Sequence, residues 1–295
     1  MKNAKKSKFL FTILLSVIIC VLSFLTLFSN NNRAFAIDNC EVLYSDELYA
    51  DVDYTSTAEE VVASYDVYFD KLEETEYICH INAPSFGNTD TSKTNACAPL
   101  AGLNIVGFYD RWYENLIPNY NPGMVFADGT YHYFPDMGSS ATKNTFSSLY
   151  SLMKTGVLGG TTSSNFKSGL NSYVSGAGHN ISYLSFYSSS TSVNLTMLAE
   201  AIRNNRVGLI MCSEYNFVSD ILYNDSFAHI TKRNNAVGHM MMVYGYRIIT
   251  YYKDDAVIRR DTFLNVCSSY STAEVGFMQL YDYSVINEAL IVSIS

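Results

Sequence analysis

The chain has 295 residues, of which 48% are hydrophobic and 16% charged, and its formal net charge is −9. This length allows one globular domain with appendages, and the composition excludes a collagen, a coiled coil and a polytopic membrane protein. The 19 basic residues against 28 acidic ones also remove the electrostatic basis for holding nucleic acid.

The first 36 residues have the pattern of an export signal. They contain five basic residues and no acidic one, an uncharged apolar run from Phe9 to Phe28, and the small-x-small tripeptide Ala34-Phe35-Ala36. We predict cleavage after Ala36 and a secreted, extracellular mature protein. The apolar run is also long enough to span a bilayer, so a cell-surface anchor through an uncleaved segment is the alternative.

Residues 37–79 form an acidic extension ahead of the main domain, which we place at residues 80–295. Thirteen acidic residues and a single base, Lys71, lie between positions 37 and 76. Apolar residues recur at helical spacing from Val61 to Leu72, and Thr57 with Glu60 resembles a capping box, which predicts a helix. The extension is either a helix packed on the main domain or a removable pro-segment.

The front half of the main domain has helical patterning. A polar loop ends at Asn95, a candidate cap, and the helix that begins near Cys97 is apolar around more than half of its circumference, which indicates a central position. We predict shorter helices over residues 144–154 and 165–174, and another behind Asn194.

The back half has strand patterning. We predict a buried strand from Val207 and four strands after Gly238, two of which form a hairpin with a charged tip at residues 253–255. Helices followed by strands predict an α+β fold rather than alternating βαβ units.

Cys97 is the candidate nucleophile. Cleavage of the signal leaves five cysteines, and an odd number in an exported chain indicates at least one free thiol. A helix N-terminus favours the thiolate, which is the nucleophilic form.

His239 is the candidate base. It opens a strand 142 residues after Cys97, within the separation of papain-type Cys and His residues, and could accept the thiol proton and return it to a leaving amine. His229 is the alternative.

Asn265 is the candidate residue that orients the imidazole. A polar amide in the apolar strand "TFLNVC" needs a partner, and antiparallel pairing about Tyr252 would place it beside His239. That pairing requires an asymmetric loop or a bulge, and Asp261 is the substitute if the register differs. No Cys or His pair has metal-ligand spacing, so we predict no metal and no cofactor.

Four segments together resemble the papain-like cysteine peptidases of bacteria, particularly the bacteriocin-leader-processing group. They are "NACAPLAGLNIVGFYD", "LAEAIRNNRVGLIM", "VGHMMMVYGYR" and "FLNVCSS", within residues 80–295. The resemblance implies a papain-like fold, with a central nucleophile helix packed on a small antiparallel sheet. It also implies peptide-bond hydrolysis without a metal.

Two positions depart from that family's pattern. The glutamine that supplies its oxyanion hole is replaced by Thr91, so Asn88 and the backbone N–H of Cys97 are the candidate donors. The residues after Asn265 are Cys267-Ser268-Ser269 instead of an aromatic and glycine sequence.

These features predict a secreted thiol hydrolase that cleaves peptides or proteins through a Cys97-His239-Asn265 triad and an acyl-enzyme. Two alternatives remain: a peptidoglycan amide hydrolase, and a non-catalytic secreted binding or adhesion domain.

Overall fold

The computed structural model describes residues 54–57, 60–78, 83–87, 93–120, 123–125, 131–133, 138–156, 160–235, 238–269 and 275–295. The predicted signal segment and the first part of the acidic extension lie outside these residues. The described residues belong to one compact unit.

Ten strands form a single sheet in which every pairing is antiparallel. These strands are β1 (Tyr54–Thr57), β2 (Glu60–Tyr68), β3 (Lys71–Ile78), β6 (Ile181–Ser185), β9 (Val207–Tyr223), β10 (Phe227–Asn235), β11 (His239–Lys253), β12 (Ala256–Cys267), β13 (Val275–Gln279) and β14 (Val285–Ile294). Two separate hairpins are formed by β4 (Gly123–Val125) with β5 (Tyr131–Tyr133), and by β7 (Tyr187–Ser189) with β8 (Ser192–Val193).

The order along the sheet is β1-β2-β10-β9-β13-β12-β11-β3, and β9 changes partners along its length. Its first half pairs with β14 and β11, and its second half pairs with β10 and β13. Two hydrophobic cores result. One contains the helices, and the other is enclosed by β2, β9, β10, β11 and β12.

Four helices lie in the described residues: α1 (Cys97–Asp110), α2 (Ser140–Leu152), α3 (Ser163–Gly176) and α4 (Leu195–Arg203). Every residue of α1 after Cys97 is buried. The other three helices are capped by side chains, including Asn194, whose Oδ1 accepts from the Met197 N–H at 3.0 Å. None of the described helices is long and apolar enough to cross a membrane.

The predicted papain-like architecture is wrong. The prediction of a small sheet came from the strands after Val207, whereas the structure has a ten-stranded sheet that also includes β1, β2, β3 and β6. Strands from both ends of the chain thus meet in one sheet, and local periodicity carries no information on such long-range pairing.

The predicted helix in the acidic extension is also wrong. Val61 to Leu72 fall in β2 and β3, and Thr57 pairs with Glu60 across the β1–β2 hairpin. The segment has a second periodicity, because Ala63, Tyr65, Val67 and Phe69 alternate and are all buried. Valine and tyrosine favour strands, and pairing with β10 stabilises that alternative.

The predictions for the later helices and strands are confirmed within a few residues at their ends. The hairpin of β11 and β12 turns at Asp254 and Asp255, which have φ angles of 49° and 61°, as a tight two-residue turn requires. Asn95, in contrast, is not the cap of α1. The cap position is Ala96, and the Asn95 side chain donates to the Gly156 carbonyl at 3.2 Å.

Candidate active site

Cys97 is the first residue of α1 and is half-buried, with its side chain directed toward β11. Burial raises the pKa of its thiol, and the backbone N–H groups of Met240, Ala98 and Cys97 itself oppose that change. The helix N-terminus was expected to favour the thiolate, but desolvation is the larger effect. Cys97 is therefore a neutral thiol at pH 7.

His239 is the first residue of β11, and its ring is held on two sides. Nε2 lies 2.7 Å from the Ser268 carbonyl oxygen, and the ring stacks on that of Tyr215 with centroids 5.3 Å apart and planes inclined by 17°. A carbonyl only accepts hydrogen bonds, so Nε2 carries the proton and Nδ1 of the neutral imidazole carries the lone pair. That tautomer is the one a base acting through Nδ1 needs.

Burial lowers the pKa of the His239 imidazole, and the bond to the Ser268 carbonyl opposes that change. The ring is therefore neutral at pH 7 and able to accept a proton.

The two candidate residues meet at one peptide unit of β11. The amide nitrogen that acts on the Cys97 sulfur belongs to Met240, the residue directly after His239. Cys212 pairs with His239 across β9 and β11, and its sulfur interacts electrostatically with that of Cys97. The structure thus brings Cys97 to the strand end that carries His239, across 142 residues of sequence.

The alternative base, His229, lies elsewhere. Its Nδ1 is 2.6 Å from an Asp66 carboxylate oxygen, across the pair of β10 and β2. His229 therefore belongs to a surface ion pair.

Asn265 is not brought to His239. It pairs with Gly245 and donates from Nδ2 to Glu76 Oε1 at 2.9 Å. Gly245 is six residues from His239, which is about 20 Å along an extended strand. The predicted register was wrong because β11 and β12 contain two irregularities, at Val243/Gly245 and Tyr251/Tyr252, that shift the pairing.

Asp261, the substitute, is also remote. It pairs with Ile249, and its buried carboxylate contacts Arg259 Nη2 at 2.7 Å. The group that orients His239 is instead a backbone carbonyl, that of Ser268.

The predicted oxyanion-hole residue Asn88 lies outside the described residues, as does Thr91. The segment just before them, residues 83–87, packs beside the site. Its Pro84 carbonyl lies 3.1 Å from Cys267 Sγ, and its Phe86 N–H donates to Asn104 Oδ1 at 2.7 Å.

The sequence gave no indication of three groups at the site: the Ser268 carbonyl, the Tyr215 ring and the Asn104 amide. A backbone carbonyl has no sequence signal. Tyr215 lies in the part of β9 beyond the predicted strand. Asn104 had a recognisable signal, since it is a polar amide within a helix whose following residues are otherwise apolar as far as Tyr109 apart from Gly107.

Comparison with known proteins finds no matching protein family, no matching curated protein and no matching solved structure. Within the described part of the chain, no group of three or more His, Cys, Asp or Glu side chains could hold a metal ion. The function is therefore argued from the geometry of the site.

Proposed function

We propose that this protein is an exported thiol hydrolase that cleaves peptide bonds with Cys97 as nucleophile and His239 as general base. The observation that supports it most is the arrangement of the imidazole. The Ser268 carbonyl fixes the Nε2–H tautomer, and the next residue along β11 contacts the Cys97 sulfur. The Ser268 carbonyl takes the role that was predicted for Asn265.

The reaction proceeds in two halves. Nδ1 of His239 accepts the proton of the Cys97 thiol as the sulfur attacks the substrate carbonyl carbon. The imidazolium then protonates the leaving amine, the C–N bond breaks, and a thioester on Cys97 remains. His239 next accepts a proton from water, which attacks the thioester, and the regenerated thiol is released with a carboxylic acid. The Cys97 backbone N–H and the Asn88 side chain are the proposed donors to the oxyanion.

Tyr215 and the neutral state of both groups suit this scheme. The buried Tyr215 ring covers one face of the imidazole and excludes water from the bond to Ser268. Because the thiol and the imidazole are both neutral at rest, proton transfer accompanies attack instead of preceding it.

The same neutral pair favours a second candidate, a non-catalytic secreted binding or adhesion domain. Burial keeps Cys97 protonated, and protonated thiols are poor nucleophiles. In that case the sulfur and the imidazole are packing groups, and the protein hydrolyses nothing.

The deciding experiment compares wild type with Cys97→Ala and His239→Gln on a mixed-peptide library, read by mass spectrometry. We expect either substitution to lower the cleavage rate on the order of 10³-fold or more. His229→Gln is the matched control, because that histidine lies in the Asp66 ion pair, and we expect it to cleave at the wild-type rate.

Cleavage that persists in Cys97→Ala would overturn the proposal, and absence of any cleavage by wild type would favour the binding domain. Cell-wall fragments added to the library test the alternative of a peptidoglycan amide hydrolase. The mass of the protein recovered from medium tests export, since cleavage after Ala36 leaves a chain that starts at Ile37.

A further inference from the structure

Asn104 is a fully buried amide on the helix that carries the candidate nucleophile. It lies two turns after Cys97, on α1. Its Oδ1 accepts from the Phe86 N–H at 2.7 Å, and its Nδ2 donates to Ser269 Oγ at 3.2 Å. The helix is thus bonded to two segments that are remote in sequence, the one before Asn88 and the one after β12.

The bond to Ser269 acts at a strained residue. Ser269 has a φ angle of 65°, in the left-handed region that residues with a side chain rarely adopt. Such a conformation persists only where surrounding contacts hold it. Ser269 is 4% exposed, and Asn104 supplies one of those contacts.

The φ angle of Ser269 sets the orientation of the peptide unit before it. The oxygen of that unit is the Ser268 carbonyl, which accepts from His239 Nε2 at 2.7 Å. A contact that fixes Ser269 therefore fixes the direction in which this carbonyl points.

We infer that Asn104 is a positioning residue, which aims the Ser268 carbonyl at His239 through Ser269 and so holds the imidazole in register with Cys97. The inference rests on the proposed hydrolase function for its catalytic meaning. Its physical content is a chain of hydrogen bonds from α1 to the imidazole. The other half of the same amide holds Phe86, two residues before the proposed oxyanion donor Asn88.

Three variants test the chain of bonds: Asn104→Ala, Ser269→Ala and Ser269→Gly. The readout is the pKa of His239, measured from its ring-proton shifts and assigned with His239→Gln. We expect Asn104→Ala and Ser269→Ala to lower that pKa, because the carbonyl bond favours the protonated ring and both variants loosen it. Ser269→Gly loses the same hydroxyl but adopts positive φ readily, so we expect a smaller change.

Thr145→Val is the matched control. Thr145 is a buried polar residue on α2 whose Oγ1 lies 2.9 Å from the Tyr173 hydroxyl, so the variant also loses a buried hydrogen bond. We expect it to be less stable to urea and to leave the pKa of His239 unchanged.

An unchanged pKa of His239 in a folded Asn104→Ala protein would overturn the inference. Should Asn104→Ala not fold, the serine variants decide, and equal pKa values in wild type, Ser269→Ala and Ser269→Gly would overturn it. A lowered pKa in Ser269→Ala, partly restored in Ser269→Gly, supports it.

The outcome is separable from that of the hydrolase proposal because the titration needs no substrate. With a peptide that wild type cleaves, we expect Asn104→Ala to lower kcat roughly 10- to 100-fold with little change in KM. Absence of Cys97-dependent cleavage would remove the hydrolase and leave the titration result standing. A wild-type kcat together with an unchanged titration would remove only the role of Asn104.

Discussion

Burial acts in opposite directions on the two reactive side chains of the candidate site. It raises the pKa of the Cys97 thiol and lowers that of the His239 imidazole, and in each case nearby backbone groups oppose the change. Both effects favour the uncharged form, so the pH range in which a neutral thiol faces a neutral base is wide.

This range predicts the pH dependence of Cys97. Iodoacetamide reacts with thiolates, so we expect slow alkylation of Cys97 at pH 7 and a rate that still rises as pH passes 9.0, the ordinary pKa of a thiol. Cys97 should nevertheless react before Cys212 and Cys267, because both of these are buried. Peptide mapping of samples quenched across pH 6 to 10 measures this. A rate plateau near pH 6 that disappears in His239→Gln would instead show a preformed ion pair.

Asp110 predicts a pH dependence of stability. It is the last residue of α1 and 3% exposed, and burial raises the pKa of its carboxyl from 3.8 to about 7. Between those values the folded protein binds a proton that the unfolded chain releases, so this group makes the free energy of unfolding fall as pH rises from 4 to 7.

The Asp110→Asn variant tests that sign, since its side chain keeps an acceptor for the Ile117 N–H, which bonds the carboxylate at 2.6 Å. Urea unfolding at pH 5 and pH 8 should show wild type losing stability relative to Asp110→Asn at the higher pH. A constant difference between the two proteins would contradict the assignment.

The elements show why some predictions held and others did not. The helices α2, α3 and α4 were predictable because each has a single apolar period and a capping or terminating residue. Residues 61–72 have both a helical and an alternating pattern, and the choice between them is made by β10, more than 150 residues later. The register of Asn265 failed for a similar reason, since a bulge depends on the tertiary structure around it.

Packing between helices predicts unequal effects of two glycine substitutions. A Cβ at Gly169 of α3 would lie 2.7 Å from the Met153 backbone nitrogen and 2.8 Å from the Leu152 carbonyl carbon, whereas a Cβ at Gly102 of α1 would meet only the flexible end of the Met153 side chain at 2.7 Å. We expect Gly169→Ala to lower the free energy of unfolding by about 1–3 kcal/mol, and Gly102→Ala to stay within about 1 kcal/mol of wild type. Urea titration measures both, and equal losses would contradict this packing.

At the scale of the whole molecule, the acidic extension is part of the sheet. The described strands β2 and β3 pair with β10 and β11, and β2 supplies Tyr65, Val67 and Phe69 to the second hydrophobic core. Whether any part of residues 37–79 is removed as a pro-segment stays a prediction, and the structure makes its test specific.

A chain shortened to residues 77–295 loses β2 and nearly all of β3. Uncovering the three core side chains of β2 should cost roughly 5 kcal/mol or more, which is comparable to the total stability of a typical domain. We expect no cooperative thermal transition by circular dichroism, and a normal one for the control chain of residues 54–295. A folded short chain that cleaves peptides faster than the control would support the pro-segment instead.

The partner changes of β9 and the pairing of β2 with β10 have a kinetic consequence. Contacts of such high contact order cannot form until most of the polypeptide has left the ribosome, and closing such long loops makes folding slow. Cys97 meets His239 only after those late events. A chain of this topology therefore stays unfolded and chemically inert during synthesis, a state suited to threading through a secretion channel, and acquires its reactive pair only after translocation is complete.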